Sequence, residues 1–166
     1  LEKAGGLDIK YICPLHGLVW RDNFGYILDK YTHWATYEPE EDGVLIVYAS
    51  MYGNTEFAAQ ALAAKLCEAG ITNISLRDVS NTHVSVLIAE AFKYSNIVLA
   101  SVTYNLGVYP PMQNFIEDMK ALNVQNRAVS IIDNGSWAPQ AGEKMEKYEQ
   151  SLKKLWDNIK WSNIHE

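Results

Sequence analysis

Four short apolar runs, Val44–Ala49, Ile74–Val79, Ile97–Ser101 and Ala128–Ile132, recur along the chain, and a helix-patterned segment follows each. That alternation limits the fold more than any other feature. Runs of this length and composition read as strands. Phe57–Ala69 is rich in Ala and Leu and stops at Gly70, and Val84–Phe92 is apolar at helical spacing. Pro110-Pro111 opens Met112–Leu122, where prolines suit a first turn. Glu143–Asn158 is a fourth helical segment. Met145, Tyr148, Leu152, Leu155 and Trp156 make its inward face, and the charged run Glu143–Lys154 makes a solvated face with Glu/Lys pairs. Strands alternating with helices imply parallel pairing through crossover helices. The expected architecture is a doubly wound parallel sheet in a three-layer α/β/α sandwich, with any ligand outside the carboxyl ends of the strands. Beyond Asn158 only Ile159–Glu166 remain, room for one short strand. A fifth strand with a closing helix would take roughly 25 more residues. The chain is therefore expected to be cut short, or rearranged, at that end.

Ahead of the first strand the pattern changes. The acidic Pro/Gly stretch Tyr37-Glu38-Pro39-Glu40-Glu41-Asp42-Gly43 separates aromatic-rich residues from the apolar strand and reads as a linker. Two segments result, 1–42 and 43–166. At 166 residues, 48% of them hydrophobic, the chain is long enough for one domain with a sizeable core, the second segment, plus a modest appendage, the first. A net charge of −6 argues against nucleic acid as a partner, because phosphate-backbone binding wants a basic face. No apolar stretch approaches the ~18 residues of a membrane span, and no leader pattern is present. Cys13 and Cys67 form no Cys-x-x-Cys pair, so a reducing, cytoplasmic setting is the default, with Cys67 expected in the core.

Where the first strand meets the first helix of segment 43–166 stands the hexapeptide Ser50-Met51-Tyr52-Gly53-Asn54-Thr55. Ser50, Asn54 and Thr55 offer short polar side chains, Gly53 lets the backbone approach closely, and a helix from about Thr55 presents unpaired N–H groups and the positive end of its dipole. This is a phosphate cradle without Lys or Arg. A triphosphatase loop would need Gly-x-x-x-x-Gly-Lys-Ser/Thr, which the chain lacks, so the expected guest is a mononucleotide cofactor. Two further loops follow strand ends at the same sheet edge: Val102-Thr103-Tyr104-Asn105-Leu106-Gly107-Val108-Tyr109, and Asp133-Asn134-Gly135-Ser136-Trp137-Ala138. They add aromatics and turn glycines. A flat tricyclic flavin needs an aromatic wall and backbone groups along its edge, and Tyr104, Tyr109 and Trp137 are candidate walls.

Ser50–Thr55, Ser101-Val102-Thr103-Tyr104-Asn105 and Asn134-Gly135-Ser136-Trp137 resemble, in order and spacing, the three flavin mononucleotide (FMN) loops of the flavodoxin family. The resemblance covers about three quarters of the chain and implies a flavodoxin-like fold with FMN as cofactor. By it, Ser50, Met51, Tyr52, Gly53, Asn54 and Thr55 hold the phosphate. Val102, Thr103, Tyr104 and Asn105 line the ribityl chain and ring, and Asn134, Gly135, Ser136 and Trp137 edge the isoalloxazine. Residues 1–42 carry a narrower resemblance. Ile12-Cys13-Pro14-Leu15-His16-Gly17-Leu18-Val19-Trp20-Arg21 is similar to the closing motif of the metallo-β-lactamase-like domain of flavodiiron proteins. There the His of Pro-x-His-Gly is the last ligand of a non-haem diiron centre, which makes His16 the candidate metal ligand here. The upstream His/Glu/Asp cluster of that family is absent from this sequence. The resemblance thus implies the carboxyl-terminal electron-transfer module of a flavodiiron oxygen or nitric oxide reductase, with the tail of the iron domain attached. It also implies rubredoxin or a flavin/iron reductase as electron donor, and a head-to-tail homodimer in the full-length protein.

Simpler readings stand beside these. Ser50–Thr55 also fits an ordinary helix-starting turn, Asn134-Gly135 an ordinary turn, and each aromatic a packing role. A lone His is more often a surface or core residue than a ligand, and His33, His83 and His165 show no ligand spacing. A stand-alone flavodoxin-like carrier, with residues 1–42 as an accessory arm, is the alternative function. A quinone reductase of the same fold would need a nicotinamide site, for which the residues give no sign. No acid/base pair or nucleophile triad suggests an independent hydrolase.

Overall fold

Along β1 (Glu41–Ala49) successive side chains leave on opposite sides of the backbone, and both sides are buried. Val44 and Ile46 meet Ala59 of α2 (Asn54–Glu68) and Val98 of β3 (Tyr94–Tyr104). Leu45, Val47 and Ala49 point the other way. They share a cluster with Leu87 and Ala91 of α3 (Val84–Lys93), with Met112, Phe115, Ile116 and Met119 of α4 (Pro110–Ala121), and with Met145 of α5 (Ala141–Lys153). Helices therefore cover both faces, and the central strands are apolar throughout instead of alternating. Leu45, Ile46, Val47 and Leu99 are fully shielded from solvent, worth about 1.5–3 kcal/mol each relative to exposure.

The computed structural model describes residues 6–136 and 138–153. The chain divides into two compact units, Leu1–Thr36 and Tyr37–Glu166. In the second, β2 (Ile74–Asp78), β1, β3 and β5 (Ala128–Asn134) lie side by side in that order, all parallel. This is the doubly wound sheet that the alternation predicts. The register pairs Val44 with Ile74, Ile46 with Val98 and Leu99 with Ile131. Because β1, β3 and β5 are neighbours, the loops leaving their carboxyl ends are neighbours too. A two-residue strand, β4 (Gly107–Val108), folds back antiparallel on Thr103 and Tyr104, a hairpin the sequence reading leaves as loop. Among the described residues no strand follows β5. Leu155, Trp156 and Ile159–Glu166 lie outside them.

The boundaries carry physical corrections. The acidic end of the expected linker, Glu41-Asp42-Gly43, opens β1 instead. Each of its three residues finds polar partners. Ser95 Oγ donates to Asp42 Oδ1 at 2.6 Å, Asn73 Nδ2 donates to the Asp42 carbonyl at 2.9 Å, and Lys93 pairs with Glu41 at 3.4 Å. Gly43 is required there, since a Cβ would come within 2.8 Å of both the Asn73 carbonyl and the Tyr94 ring. Cys67, expected in the core, is exposed on α2, as is Cys13 in the first unit. Alternate turns of α2 pack Ala59, Leu62, Ala63 and Leu66 inward, and Cys67 falls outside that stripe. Met145 is buried on α5, and Lys147 pairs with Glu143 at 2.6 Å on its solvated side.

In the first unit, Ile12 and Trp20 exchange both backbone hydrogen bonds, closing a loop over Cys13–Val19. Trp20 stacks on Tyr26 of α1 (Phe24–Thr36) with ring centroids 5.9 Å apart. No residue of α1 is buried, and Leu15 and Leu18 are 97% and 79% exposed.

Candidate functional site

Ser50–Thr55 joins the end of β1 to α2 as a turn that closes on itself. The Gly53 N–H donates to Ser50 Oγ at 3.0 Å, and Gly53 sits at φ 88°, a left-handed conformation that disfavours any side chain. Gly53 is the residue before the helix, and the first intrahelical bond runs from Phe57 N–H to its carbonyl. No side chain caps this end. The first-turn N–H groups and the helix dipole are left for something else. Thr55 is buried, and its hydroxyl accepts from Asn134 Nδ2 at 3.2 Å, tying the first loop to the end of β5. Ser50 and Thr55 thus both serve the protein as acceptors. A hydroxyl so engaged still has a proton to donate, which is the polarity a phosphate needs.

The second and third loops are held together by Thr103. Its hydroxyl donates to Asp133 Oδ1 at 3.0 Å and accepts from the N–H groups of Gln140 and Ala141 at 2.9 and 3.0 Å, so it caps α5 from the neighbouring strand. That uses the hydroxyl fully. Thr103 therefore ties the second and third loops to each other and to the start of α5. Asp133, which the sequence places in the third loop without a role, is its partner in this. Asn105 and Leu106 are both left-handed, at φ 48° and 59°, the signature of a tight type I′ hairpin turn between Tyr104 and Gly107. The Leu106 carbonyl accepts from Lys144 Nζ. Gly135 lies where a Cβ would meet Pro139 at 3.0 Å and Thr103 at 3.3 Å, so the third loop packs backbone to backbone.

Apolar surface gathers at the same edge. Tyr52 is 87% exposed, and Met51, Tyr104 and Leu106 are also exposed. Tyr104 meets Tyr109 edge to face, with centroids 5.7 Å apart. Val102 is half-buried at the end of β3, and Ser136 is exposed. Trp137 lies outside the described residues. A cavity between α3 and α4, lined by residues such as Val84, Leu87, Asn114 and Phe115, includes none of the loop residues.

The Flavodoxin family model matches residues 46–157. The chain belongs to the flavodoxin family. Its sequence is 26% identical over 140 residues to the anaerobic nitric oxide reductase flavorubredoxin of Klebsiella pneumoniae, covering 84% of this chain and 29% of that one. Its fold superposes with a TM-score of 0.82 on the flavodiiron protein of Giardia intestinalis (22% identity, 99% of this chain, 42% of that one). Against the rubredoxin oxygen:oxidoreductase of Desulfovibrio gigas the TM-score is 0.81 (23% identity, 98% and 40%). The chain thus spans about two-fifths or less of each of these three proteins. The resemblance to the flavodoxin-like domain of flavodiiron proteins, stated from the three loops, agrees with these matches.

FMN is the cofactor of this flavodoxin-like fold, and the donor set fits it. An uncapped helix start, a left-handed glycine and hydroxyls with protons to donate suit a phosphate monoester. Exposed aromatics on the adjoining loops suit a flat ring. Iron is a different case. His16 is exposed, and among the described residues no group of three or more His, Cys, Asp or Glu could hold a metal ion. One imidazole does not make a site. His83, the other histidine of interest, is structural: its Nδ1 accepts from the Ser85 N–H at 3.2 Å and caps α3. His165 is outside the described residues. No helix among those residues is long and apolar enough to cross a membrane.

Proposed function

We propose that this chain is the FMN-binding electron-transfer module of a flavodiiron oxidoreductase. Its partner centre would be a diiron site in an upstream metallo-β-lactamase-like domain, where oxygen or nitric oxide is reduced. The observation that carries the reading is the meeting of three loops at the carboxyl ends of β1, β3 and β5, one of them an uncapped helix start.

Each residue contributes a defined part. Ser50, Thr55 and the first-turn N–H groups of α2 donate to the phosphate, and Asn54 adds an amide. Met51 and Tyr52 form the apolar rim beside it. Thr103 fixes the second and third loops so that Val102, Tyr104 and Asn105 line the ribityl chain and ring, while Gly135, Ser136 and Trp137 edge the ring. FMN, when bound, supplies reversible one- and two-electron storage; the protein sets its orientation and surroundings. His16 would be the last iron ligand, the others coming from residues outside this chain. The exposed Leu15 and Leu18, and an α1 with no buried residue, suit a segment that packs on a larger domain. Electrons would enter from rubredoxin or a flavin/iron reductase. In the full-length protein a head-to-tail homodimer would pair the flavin of one subunit with the iron of another, in the cytoplasm. By itself the chain would only carry electrons.

The test begins with an absorption spectrum after FMN is added and the excess removed. Retained bands near ~370 and ~450 nm are expected for a bound oxidised flavin. Loss of all colour overturns the cofactor site. Full-length protein should then contain iron and consume oxygen or nitric oxide, and substitution of His16 should abolish both; iron content unchanged in that variant would sink the metal assignment.

A further inference from the structure

The residue at the third helical position of α2 is Glu56, counted from the N-cap Gly53. A glutamate there is the second half of a capping box: its carboxylate reaches back to the backbone N–H of the N-cap residue. In this chain that N–H belongs to Gly53, inside the loop that receives the phosphate. A carboxylate folded back would occupy the anion site with the protein's own charge. No cation in Ser50–Thr55 offsets that competition.

Glu56 does not fold back. Gln60 Nε2, one turn along the exposed side of α2, donates to Glu56 Oε1 at 3.1 Å. The Tyr48 phenol, on the strand beneath, is near enough to this carboxylate to be raised by it. Tyr48 is half-buried on the α2 face of the sheet, packed against Leu62 and Ala63's cluster and paired in register with Asp78 of β2. Its ring is fixed by that packing. Gly53 N–H is left to bond Ser50 Oγ, and the helix end stays open. Burial raises the Tyr48 phenol above its ordinary range, and the charges of Glu56 and Asp78 add to this, so the phenol keeps its proton at neutral pH.

We infer that Tyr48 and Gln60 are positioning residues that tether the Glu56 carboxylate away from the phosphate cradle, and so set the preference of the site for a phosphorylated flavin. The inference rests on the FMN reading above and adds to it a specificity device outside the loops.

Binding of FMN and of riboflavin, which lacks the phosphate, separates the two ideas. Quenching of flavin fluorescence gives both affinities for the intact chain, for Gln60→Ala, for Tyr48→Phe/Gln60→Ala, and for the latter combined with Glu56→Gln. Release of the tether should weaken FMN about tenfold and leave riboflavin unchanged, roughly the effect of one charge at a helix terminus in a partly buried setting. Glu56→Gln should restore FMN binding in the untethered background. A structural defect from the lost phenol would lower both flavins and would not be rescued. If the double variant keeps the parent's FMN-to-riboflavin ratio, or its loss persists with Glu56→Gln, the tether is wrong while the cradle stands. If the parent itself shows no preference for FMN, the cradle fails and the tether with it.

Discussion

Leu106 shows how a single residue can be set against its own backbone preference for the sake of a loop. It holds φ 59° at the second central position of the β3–β4 turn, where Asn or Gly is the usual choice and a bulky side chain is strained. Its side chain is 61% exposed, so little packing compensates. Leu106→Gly should therefore stabilise the protein by about 0.5–1 kcal/mol, after allowing for the greater chain entropy of glycine. The urea midpoint should rise at constant m-value; a fall would mean the leucine has a partner that holds it. Tyr52 and Leu106 together also show why exposure at this edge is informative, since an isolated fold has no reason to present them.

Between elements, β2 and α3 are joined by a charged contact, not an apolar one. Glu90 of α3 receives Arg77 Nε at 2.9 Å, Arg77 Nη2 at 2.5 Å and Ser75 Oγ at 2.8 Å, all from one face of β2. Burial pushes the Glu90 carboxyl upward, but the hydrogen bonds from Arg77 and Ser75 and the charges of Arg77 and Lys93 outweigh it, holding the group below the usual carboxylate range. A carboxyl lowered on folding contributes stability that is present above its unfolded value near ~4.3 and lost as pH falls through the folded one. The parent should thus be more stable than Glu90→Gln at pH 7, with the gap closing as acid is added below about pH 4. A gap independent of pH would show that shape, not charge, holds α3. The neighbouring cap at His83 works by the same logic of local partners, with a side chain in place of a helix's missing turn.

Across the whole flavodoxin-like unit one cation fastens three separate parts. The Arg127 guanidinium, 1% exposed, donates to the carbonyls of Ala91 and Phe92 at the end of α3, of Tyr37 where the unit begins, and of Gln125 and Asn126 before β5. Burial pulls its pKa down to about 10, with the charge of Glu40 opposing, so it remains protonated at neutral pH. Arg127→Met should cost about 3 kcal/mol or more, because it leaves buried carbonyls without donors. Arg127→Lys should recover only part of it, since an ammonium has three donors and no planar fork. A methionine variant with unchanged thermal stability would refute the fastening role.

The sequence by itself determined the layer architecture, and it brought the three loops proposed for the site to one sheet edge. Val44–Ala49 and Ile97–Ser101 are too apolar for any strand not covered on both faces, and the helical segments between them leave only crossover connections. Ser50–Thr55 reads as a candidate anion site because its signals are local: a turn glycine, small hydroxyls and a helix start. What the sequence left undecided were relations between residues far apart along the chain. Glu41–Gly43 read as linker until Asn73, Lys93 and Ser95 were brought alongside. That the Thr103 hydroxyl would join Asp133 to the start of α5 was likewise not visible in the sequence. Cys67 was placed inside until the rotation of α2 on the sheet put it out. Periodicity and turn chemistry are properties of neighbours in sequence, whereas the partner of a buried polar group is chosen by the fold.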